Sequence, residues 1–211
     1  MSTDPNAPAE VPEPPQPLKA RKRMGRPSRQ ETLDGQDAPT LLLHAATAEF
    51  VEHGYEGTST NRIAERAGFA PQTFYRWYKD KLAVFIAVHQ AWAEGEMAQL
   101  DAMLTEAASS RHLAEVCVES HRSFLTFQRS LKRLAQDTPA VRQATAQARQ
   151  AQIDRIRARQ PQLTAEQVAA SLIGMSHLCE ALAEGEFDDL GLMGEEAYAH
   201  LASWIEQLRP R

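Results

Sequence analysis

The spacing of apolar residues predicts helices along nearly all of the chain after residue 37. Apolar side chains recur at helical intervals, as at Leu42, Leu43, Ala46 and Phe50, which places them on one face of a helix. Ala, Leu, Gln, Glu and Arg dominate this part, and they favour helices. The alternation of β-branched and polar residues that marks strands is absent from the sequence. The pattern therefore predicts an all-α protein.

Capping residues and chain breakers place the ends of the predicted helices. Asp37 and Pro39 suit the start of the first helix, and Gly54 suits its end. An acidic loop over residues 185–194 separates the last two helices. The predicted helices cover about residues 38–53, 61–67, 71–78, 81–107, 111–129, 130–136, 139–159, 164–184 and 195–208.

Composition separates the first 36 residues from the rest. Seven of the twelve prolines fall within residues 1–27, and the first aromatic residue is Phe50. A segment with so little apolar surface cannot offset the entropy of ordering, so we expect residues 1–36 to be disordered in isolation. We expect residues 37–82 to form a small three-helix domain and residues 83–211 a larger helical domain.

Charge is distributed unevenly along the chain. The net charge is −5, which by itself argues against a nucleic-acid partner. However, residues 1–30 contain six basic and three acidic residues, and all six basic ones lie between Lys19 and Arg29. Such a local basic segment is typical of a chain that binds nucleic acid.

Residues 58–81 predict two short helices joined at Gly68, the arrangement of a helix–turn–helix. In this motif the second helix can enter the major groove of DNA, which is about 12 Å wide. Amide and guanidinium groups can pair with adenine and guanine, whereas hydroxyl groups and amines bind phosphates. The candidate base-reading residues are Gln72, Thr73 and Arg76. The candidate phosphate contacts are Tyr75, Lys79, Lys81 and the helix start at Ser59 or Thr60, with Arg62 projecting from the same helix.

A purely structural role for this segment stays open on the pattern alone. Helical pairs with a glycine turn are common, and Tyr75 and Trp77 could belong to a core instead of a DNA-binding face.

Several spaced motifs in this region resemble the DNA-binding domain of TetR-family transcriptional regulators. They are Ala45-Ala46 with Phe50 and Gly54-Tyr55, then Thr58-Ser59-Thr60, Ile63-Ala64, Ala67-Gly68-Phe69, and Thr73-Phe74-Tyr75 followed by Tyr78 and Lys81. The resemblance implies DNA contacts at Thr60, Gln72, Thr73, Tyr75, Trp77 and Lys81. Three positions depart from the family pattern: Glu49 replaces a usually apolar residue, Tyr78 replaces Phe, and Leu82 replaces a common acid.

The basic segment before the first helix is a second candidate for DNA contact. Arg23 and Arg26 lie within it, and Gly25-Arg26-Pro27 resembles an AT-hook. Arginine-containing arms bind narrow minor grooves, where the electrostatic potential is most negative. The alternative is a solubilising tail, and we favour DNA contact.

The resemblance further implies that residues 83–211 bind a small ligand and form a homodimer. A dimer of this kind fits a palindromic operator. The candidate interface residues are Leu172, Met175, Cys179, Leu201, Trp204, Ile205 and Leu208, and the alternative is that this apolar stripe forms internal core.

Candidate ligand-binding residues combine aromatic, sulfur-containing and imidazole side chains, which suit an apolar pocket with a few polar groups. They are Trp92, Met103, Cys117, His121, Phe124, Phe127, Met175 and His177. For each of them, ordinary core packing is the competing interpretation. His121 and His177 can bind a ligand carboxylate or donate to a buried carbonyl.

Other classes of protein find little support in the sequence. The longest apolar run, residues 82–88, is too short to span a bilayer, and no signal peptide is predicted. Two cysteines without metal-ligand spacing indicate a cytoplasmic protein with no disulfide scaffold, and we expect no metal, cofactor or catalytic residue. A remote alternative is an enzyme that uses Cys117 and His121, four positions apart on one predicted helix.

We therefore expect a sequence-specific transcriptional regulator, a repressor that a small molecule releases from its operator. Control by a protein partner in place of a small ligand is the alternative. The sequence identifies neither the ligand nor the operator.

Overall fold

The computed structural model describes residues 37–105 and 108–209, with backbone alone at residues 99, 100 and 102–105. The described residues form helices without strands, which confirms the all-α prediction. No helix among them is both long enough and apolar enough to cross a membrane. The helices are α1 (Ala38–His53), α2 (Thr60–Arg66), α3 (Pro71–Phe74), α4 (Lys81–Thr105), α5 (Ser110–Ser123), α6 (Leu125–Asp137), α7 (Pro139–Arg159), α8 (Ala165–Glu184), α9 (Glu186–Asp189) and α10 (Glu195–Leu208).

Side-chain caps account for several helix starts. The Asp37 carboxylate accepts from the Thr40 N–H at 3.1 Å at the start of α1. Thr164 and Gln167 form a reciprocal capping box at the start of α8, in which each side chain binds the other's backbone N–H. These contacts satisfy N–H groups that have no partner within the helix. The predicted starts of both helices are thereby confirmed to within one residue.

The structure differs from the predicted helices at three places. α3 ends at Phe74 instead of residue 78, because residues 75–77 continue as a turn in which the Trp77 N–H donates to the Phe74 carbonyl. The break between α5 and α6 lies at Phe124, where φ is −114° and ψ is 11°, instead of at residue 129. The predicted acidic loop contains the short helix α9.

Two clusters of buried side chains hold the described helices together. The front core joins α1, α2, α3 and the start of α4, and it also takes in Phe127 and Leu131 from α6. The rear core joins α5, α7, α8 and α10. Because α6 packs on α1 and also on α7 and α8, it connects the front core with helices of the rear core.

Candidate nucleic-acid interface

A tight corner between α2 and α3 holds the second helix at the surface. Ile63, Ala64 and Phe74 are fully buried and anchor the two helices on α1 and α4. At the corner, Gly68 has a φ of +80°, a conformation that side chains with a Cβ rarely adopt. The Phe69 N–H donates to the Ala64 carbonyl at 2.8 Å and closes the turn.

The outer side of this corner is exposed. Tyr75 is 57% and Trp77 54% exposed, so the interpretation of these two rings as core is wrong. Gln72 and Arg76 are exposed beside them, and Thr73 is half-buried. The corner thus presents an amide, a guanidinium and two aromatic rings on one surface.

One hydrogen bond links the two helices across this surface. The hydroxyl groups of Thr60, at the start of α2, and Tyr75, just after α3, lie 3.0 Å apart. The bond fixes the position of the Tyr75 ring relative to the start of α2, where backbone N–H groups attract anions.

Lys81 is more engaged with the protein than the sequence suggested. Its ammonium group donates to the carbonyls of Tyr55 at 2.7 Å and Thr58 at 2.9 Å, and it lies 4.0 Å from the centroid of the Tyr55 ring. An ammonium has three donors, so one N–H is left for another acceptor. The main contacts of Lys81 in this structure tie the start of α4 to the loop between α1 and α2.

Arg62 also has protein partners. Its Nε donates to the Glu49 carboxylate at 2.8 Å, and its Nη1 to the Gly57 carbonyl at 3.4 Å. Glu49 is only 5% exposed and accepts from Arg66 as well, at 3.1 Å. The carboxylate at a usually apolar position is therefore balanced by two guanidinium groups from α2. The sequence could have shown this pairing at Glu49 itself, because a carboxylate at a usually apolar position needs a positively charged partner.

One group of side chains in the described part of the chain has metal-ligand spacing. Potential ligand atoms of Glu49, Glu52 and His53 lie within 4.8 Å of one another. Both carboxylates already accept hydrogen bonds from Arg66, and the bond from Arg66 lowers the pKa of Glu52. The negative charges of these two carboxylates are therefore already balanced by arginine, and we assign no metal ion to this group.

Arg23 and Arg26 lie outside the described residues.

The structure divides the predicted ligand-binding residues among separate places. Phe127 lies in the front core and Met175 in the rear core, while His177 is exposed on the outer side of α8. Met103 lies in α4, in the stretch described by backbone alone. The remaining four, Trp92, Cys117, His121 and Phe124, are near one another where α4 meets α5.

Three further polar side chains that the sequence analysis missed lie at this place. His89 is 4% exposed, and Glu96 lies 3.9 Å from His121. Arg149 of α7 lies close enough to lower the pKa of His89, a smaller effect than that of burial. His89, Trp92 and Glu96 are spaced at three and four positions along α4, a helical face that the sequence could have shown. Arg149 is distant in sequence, and only the fold brings it near.

Burial dominates the electrostatics of this group. It raises the pKa of Glu96 to about 8, and it raises the pKa of Cys117 to about 12, helped by the negative charge of Glu96. It lowers the pKa of His121, whose Nδ1 lies 3.0 Å from the Cys117 carbonyl. Burial therefore favours the uncharged acid form of Glu96 and the thiol form of Cys117.

Most of the predicted dimer residues lie inside the chain's own rear core. The exposed fraction does not exceed 8% for Leu172, Met175, Cys179, Leu201, Ile205 and Leu208, so they are internal and unavailable to a second copy. Trp204 differs: it is half-buried and lies over Gly174, where an added Cβ would come within 3.1 Å of the ring.

A shallow apolar groove surrounds Trp204 on the outer side of α8 and α10. It is lined by Gly174, His177, Leu178, Ala181, Phe187, Leu190 and Trp204, with Glu186 at its edge. Ile173 and Leu190 are 48% and 72% exposed. This outer surface is apolar and uncovered by the described residues of the chain.

Comparisons with known proteins match the front of the chain. Residues 42–88, from α1 into α4, match the family model of bacterial regulatory proteins of the tetR family. An uncharacterized HTH-type transcriptional regulator, YezE of Bacillus subtilis, is 38% identical over 58 residues, which is 28% of this chain and 30% of that protein. The HTH-type transcriptional activator FasR of Mycolicibacterium smegmatis is 29% identical over 84 residues, 40% of this chain and 38% of that protein.

These matches span less than two-fifths of each relative. The fold itself is similar over a longer range. A transcriptional regulator from Rhodococcus sp. Rha1 superposes with a TM-score of 0.60 at 16% identity, covering 81% of this chain and 95% of that one.

Proposed function

Because residues 42–88 match the family model of bacterial regulatory proteins of the tetR family, we propose that this chain is a cytoplasmic homodimer of that family and controls transcription at a DNA operator. The observation that carries the proposal is the exposed surface of the α2–α3 corner, with Gln72, Tyr75, Arg76 and Trp77 outside and Phe74 buried beneath. A rigid corner with such a surface can place α3 in a major groove.

The contacts to DNA divide by chemistry. Gln72, Thr73 and Arg76 would read base edges, because amide, hydroxyl and guanidinium groups match them. Thr60, Tyr75, Trp77 and Lys79 would position the helix on the backbone. Lys81 and Arg62 act chiefly within the protein, with Lys81 keeping one donor for a phosphate.

The basic arm would add affinity independent of sequence. Arg23 and Arg26 would lie in the minor groove beside the site read by α3.

The outer groove around Trp204 is the surface that we propose for the dimer. Its partner is a second copy of this chain, in line with the family resemblance and with the palindromic operator that a two-fold dimer reads. The two α3 helices would then enter successive major grooves, about 34–36 Å apart.

Ligand control would act through α4 and α6. We propose that a small molecule binds where α4 meets α5 and α7, and that this shifts the start of α4, to which Lys81 ties the loop after α1. Repression that the ligand relieves is the mode we favour, although the similar protein FasR is an activator. Regulation by a protein partner remains the alternative.

The enzyme alternative loses support from the surroundings of Cys117. A nucleophilic cysteine needs a lowered thiol pKa, whereas burial raises the pKa of Cys117 to about 12. The Nδ1 of His121 lies 3.0 Å from the Cys117 carbonyl, so this ring nitrogen contacts the backbone of Cys117 and not its thiol.

The test begins with selection of bound sequences from a random DNA pool. We expect enrichment of an inverted repeat, and Arg76→Ala should then cost about 1–3 kcal/mol at one base pair of each half-site. Arg142→Ala, which removes an exposed arginine from α7, is the control and should bind normally. Failure to enrich any sequence would contradict the proposal, and equal affinity for every base at all positions would contradict the role of Arg76.

A further inference from the structure

The polar group between α4, α5, α7 and α8 contains buried atoms with unused hydrogen-bonding capacity. Both ring nitrogens of His89 and the Nε1 of Trp92 are buried and have no hydrogen-bond partner among the described residues. Buried polar atoms almost always have partners, because losing water without a replacement costs free energy. His89 is 4% exposed, so bulk water does not serve it.

Arg149 is the cation of this group. Its Nη2 donates to Ser176 Oγ at 3.0 Å and its Nη1 to Gln152 Oε1 at 3.0 Å, and both acceptors are neutral. Burial lowers the pKa of Arg149, although the guanidinium remains charged at pH 7. Glu96 is the carboxyl group whose charge acts on Arg149, and it raises the pKa of the guanidinium without forming a salt bridge to it among the described contacts.

Glu96 does not supply the missing negative charge. It accepts from Ser120 at 3.4 Å and lies 3.9 Å from His121, and burial raises its pKa to about 8. The raised pKa favours the uncharged acid, and in that form Glu96 leaves the positive charge of Arg149 without a counter-ion. A monoanion would balance that charge, whereas a dianion would bury an excess negative charge.

Flat rings surround these donors. The Trp92 ring lies 6.4 Å from His89, 6.0 Å from His121 and 5.9 Å from Phe124, measured between centroids. At these distances the rings pack against one another and form an aromatic wall beside the unused donors.

We propose that this group binds a small organic acid, with its carboxylate on Arg149 and the ring N–H groups of His89 and Trp92, and its planar body beside Trp92. This rests on the proposed function, because it assigns the chemical class of the ligand that the rear helices would sense. The carboxylate would accept hydrogen bonds from the unused donors of His89 and Trp92, and its negative charge would pair with the guanidinium of Arg149.

The test measures binding to the full chain in the absence of DNA. The probes for isothermal titration at pH 7 are benzoate, 2-naphthoate, the neutral 2-naphthamide and the cationic 2-naphthylmethylammonium. We expect at least one carboxylate to bind about tenfold or more tightly than the amide and the ammonium. Neither of these two probes can make the charge-assisted hydrogen bond that a carboxylate makes with a guanidinium. Absence of carboxylate binding, or tighter binding of the ammonium, would overturn the assignment.

Variants test whether Arg149 itself binds the carboxylate or whether the loss of any arginine from α7 weakens binding. Arg149→Met should weaken carboxylate binding by about tenfold or more, whereas Arg142→Met, on the exposed side of the same helix, should not. Trp92→Phe keeps an aromatic ring but removes the donor, and it gives a second test if Arg149→Met fails to fold. Unchanged affinity in a folded Arg149→Met or Trp92→Phe variant would contradict the assignment.

Failure of this ligand site and failure of the proposed DNA-binding function would give different results. A carboxylate that binds without changing operator affinity would keep this site and reject control by that ligand class. Operator binding by a protein that binds no carboxylate would reject this site and keep the DNA-binding role.

Discussion

A buried carboxylate joins the first two helices. Glu49 of α1 accepts from Arg62 at 2.8 Å and from Arg66 at 3.1 Å, and Arg66 also donates to Glu52 at 2.7 Å. The Arg66 side chain is 23% exposed, so water screens this pairing only in part. The network fixes α2 against α1 and thereby holds the corner that carries α3.

Replacing this carboxylate should destabilise the fold. Glu49→Gln removes the charge while keeping the size, which leaves two guanidinium groups without their buried partner. We expect a loss of about 1–3 kcal/mol in the free energy of unfolding, measured by urea denaturation at fixed protein concentration.

An exposed ion pair provides the control. Glu115 pairs with Arg111 at 2.8 Å, and their side chains are 48% and 40% exposed. Glu115→Gln should therefore change stability by less than about 0.5 kcal/mol. Equal losses in the two variants would show that burial of Glu49 has no special effect.

At the scale of elements, α6 holds the loop that follows α1. Ser130 Oγ accepts from the Tyr55 N–H at 3.0 Å and donates to the Thr126 carbonyl at 3.1 Å. The same loop gives its Tyr55 and Thr58 carbonyls to Lys81 at the start of α4. One loop thus receives contacts from α4 and α6, the two helices between the rear core and the α2–α3 corner.

Removing the α6 contact should loosen this loop. In Ser130→Ala the Tyr55 N–H loses its acceptor, and we expect hydrogen exchange of the Tyr55 amide to accelerate by about fivefold, the equivalent of one modest hydrogen bond. Ser123→Ala is the control, because Ser123 Oγ donates to the carbonyl of Glu119 within its own helix, α5. Unchanged exchange at Tyr55 would show that Ser130 does not hold the loop.

Local patterns in the sequence predicted most helices but not their partners. The ends of α1, α7 and α10 follow from Asp37, Gly54, Pro139 and Gly194, since caps and breakers act within a few residues. The break at Phe124 coincides with tertiary contacts of its ring against Trp92 and Phe127, which local patterns do not show. The helix α3 ends in a local turn after Phe74 that the sequence analysis extended as helix.

The sequence predicted the α2–α3 segment better than the rear cluster. Base-reading candidates lie within a few residues of each other, whereas His89 and Arg149 meet only through the packing of α4 with α7. An apolar stripe likewise does not say which helix covers it: Leu201 and Ile205 are internal, and Ile173 is exposed.

At the scale of the whole molecule, the net charge of −5 conceals how the chain can bind DNA. The exposed Arg76 and Lys79 lie on the α2–α3 corner, while many acidic side chains of the rear helices pair with arginine or lysine. Affinity for DNA depends on where the basic groups lie, and acidic rear helices oppose nonspecific contact with DNA.

The two-fold arrangement that we propose for operator binding would use a surface that the described residues of the single chain leave uncovered. Trp204, Ile173 and Leu190 lie on or near the outer groove of α8 and α10, and Gly174 allows the Trp204 ring to lie close to α8. Ile173→Glu places a charge on this surface, 48% exposed in one chain, without disturbing the rear core. Burying that charge between two copies should raise the dimer dissociation constant by about tenfold or more.

Sedimentation velocity over a range of protein concentrations measures that constant. Ala146→Glu adds the same charge to the exposed side of α7 and should leave the dimer intact. The variant with the weakened dimer should also lose affinity for an inverted repeat more than for a single half-site, because only a dimer engages both halves at once. A dimer that tolerates Glu at position 173 would move the interface away from the outer groove, and with it the spacing of the two α3 helices.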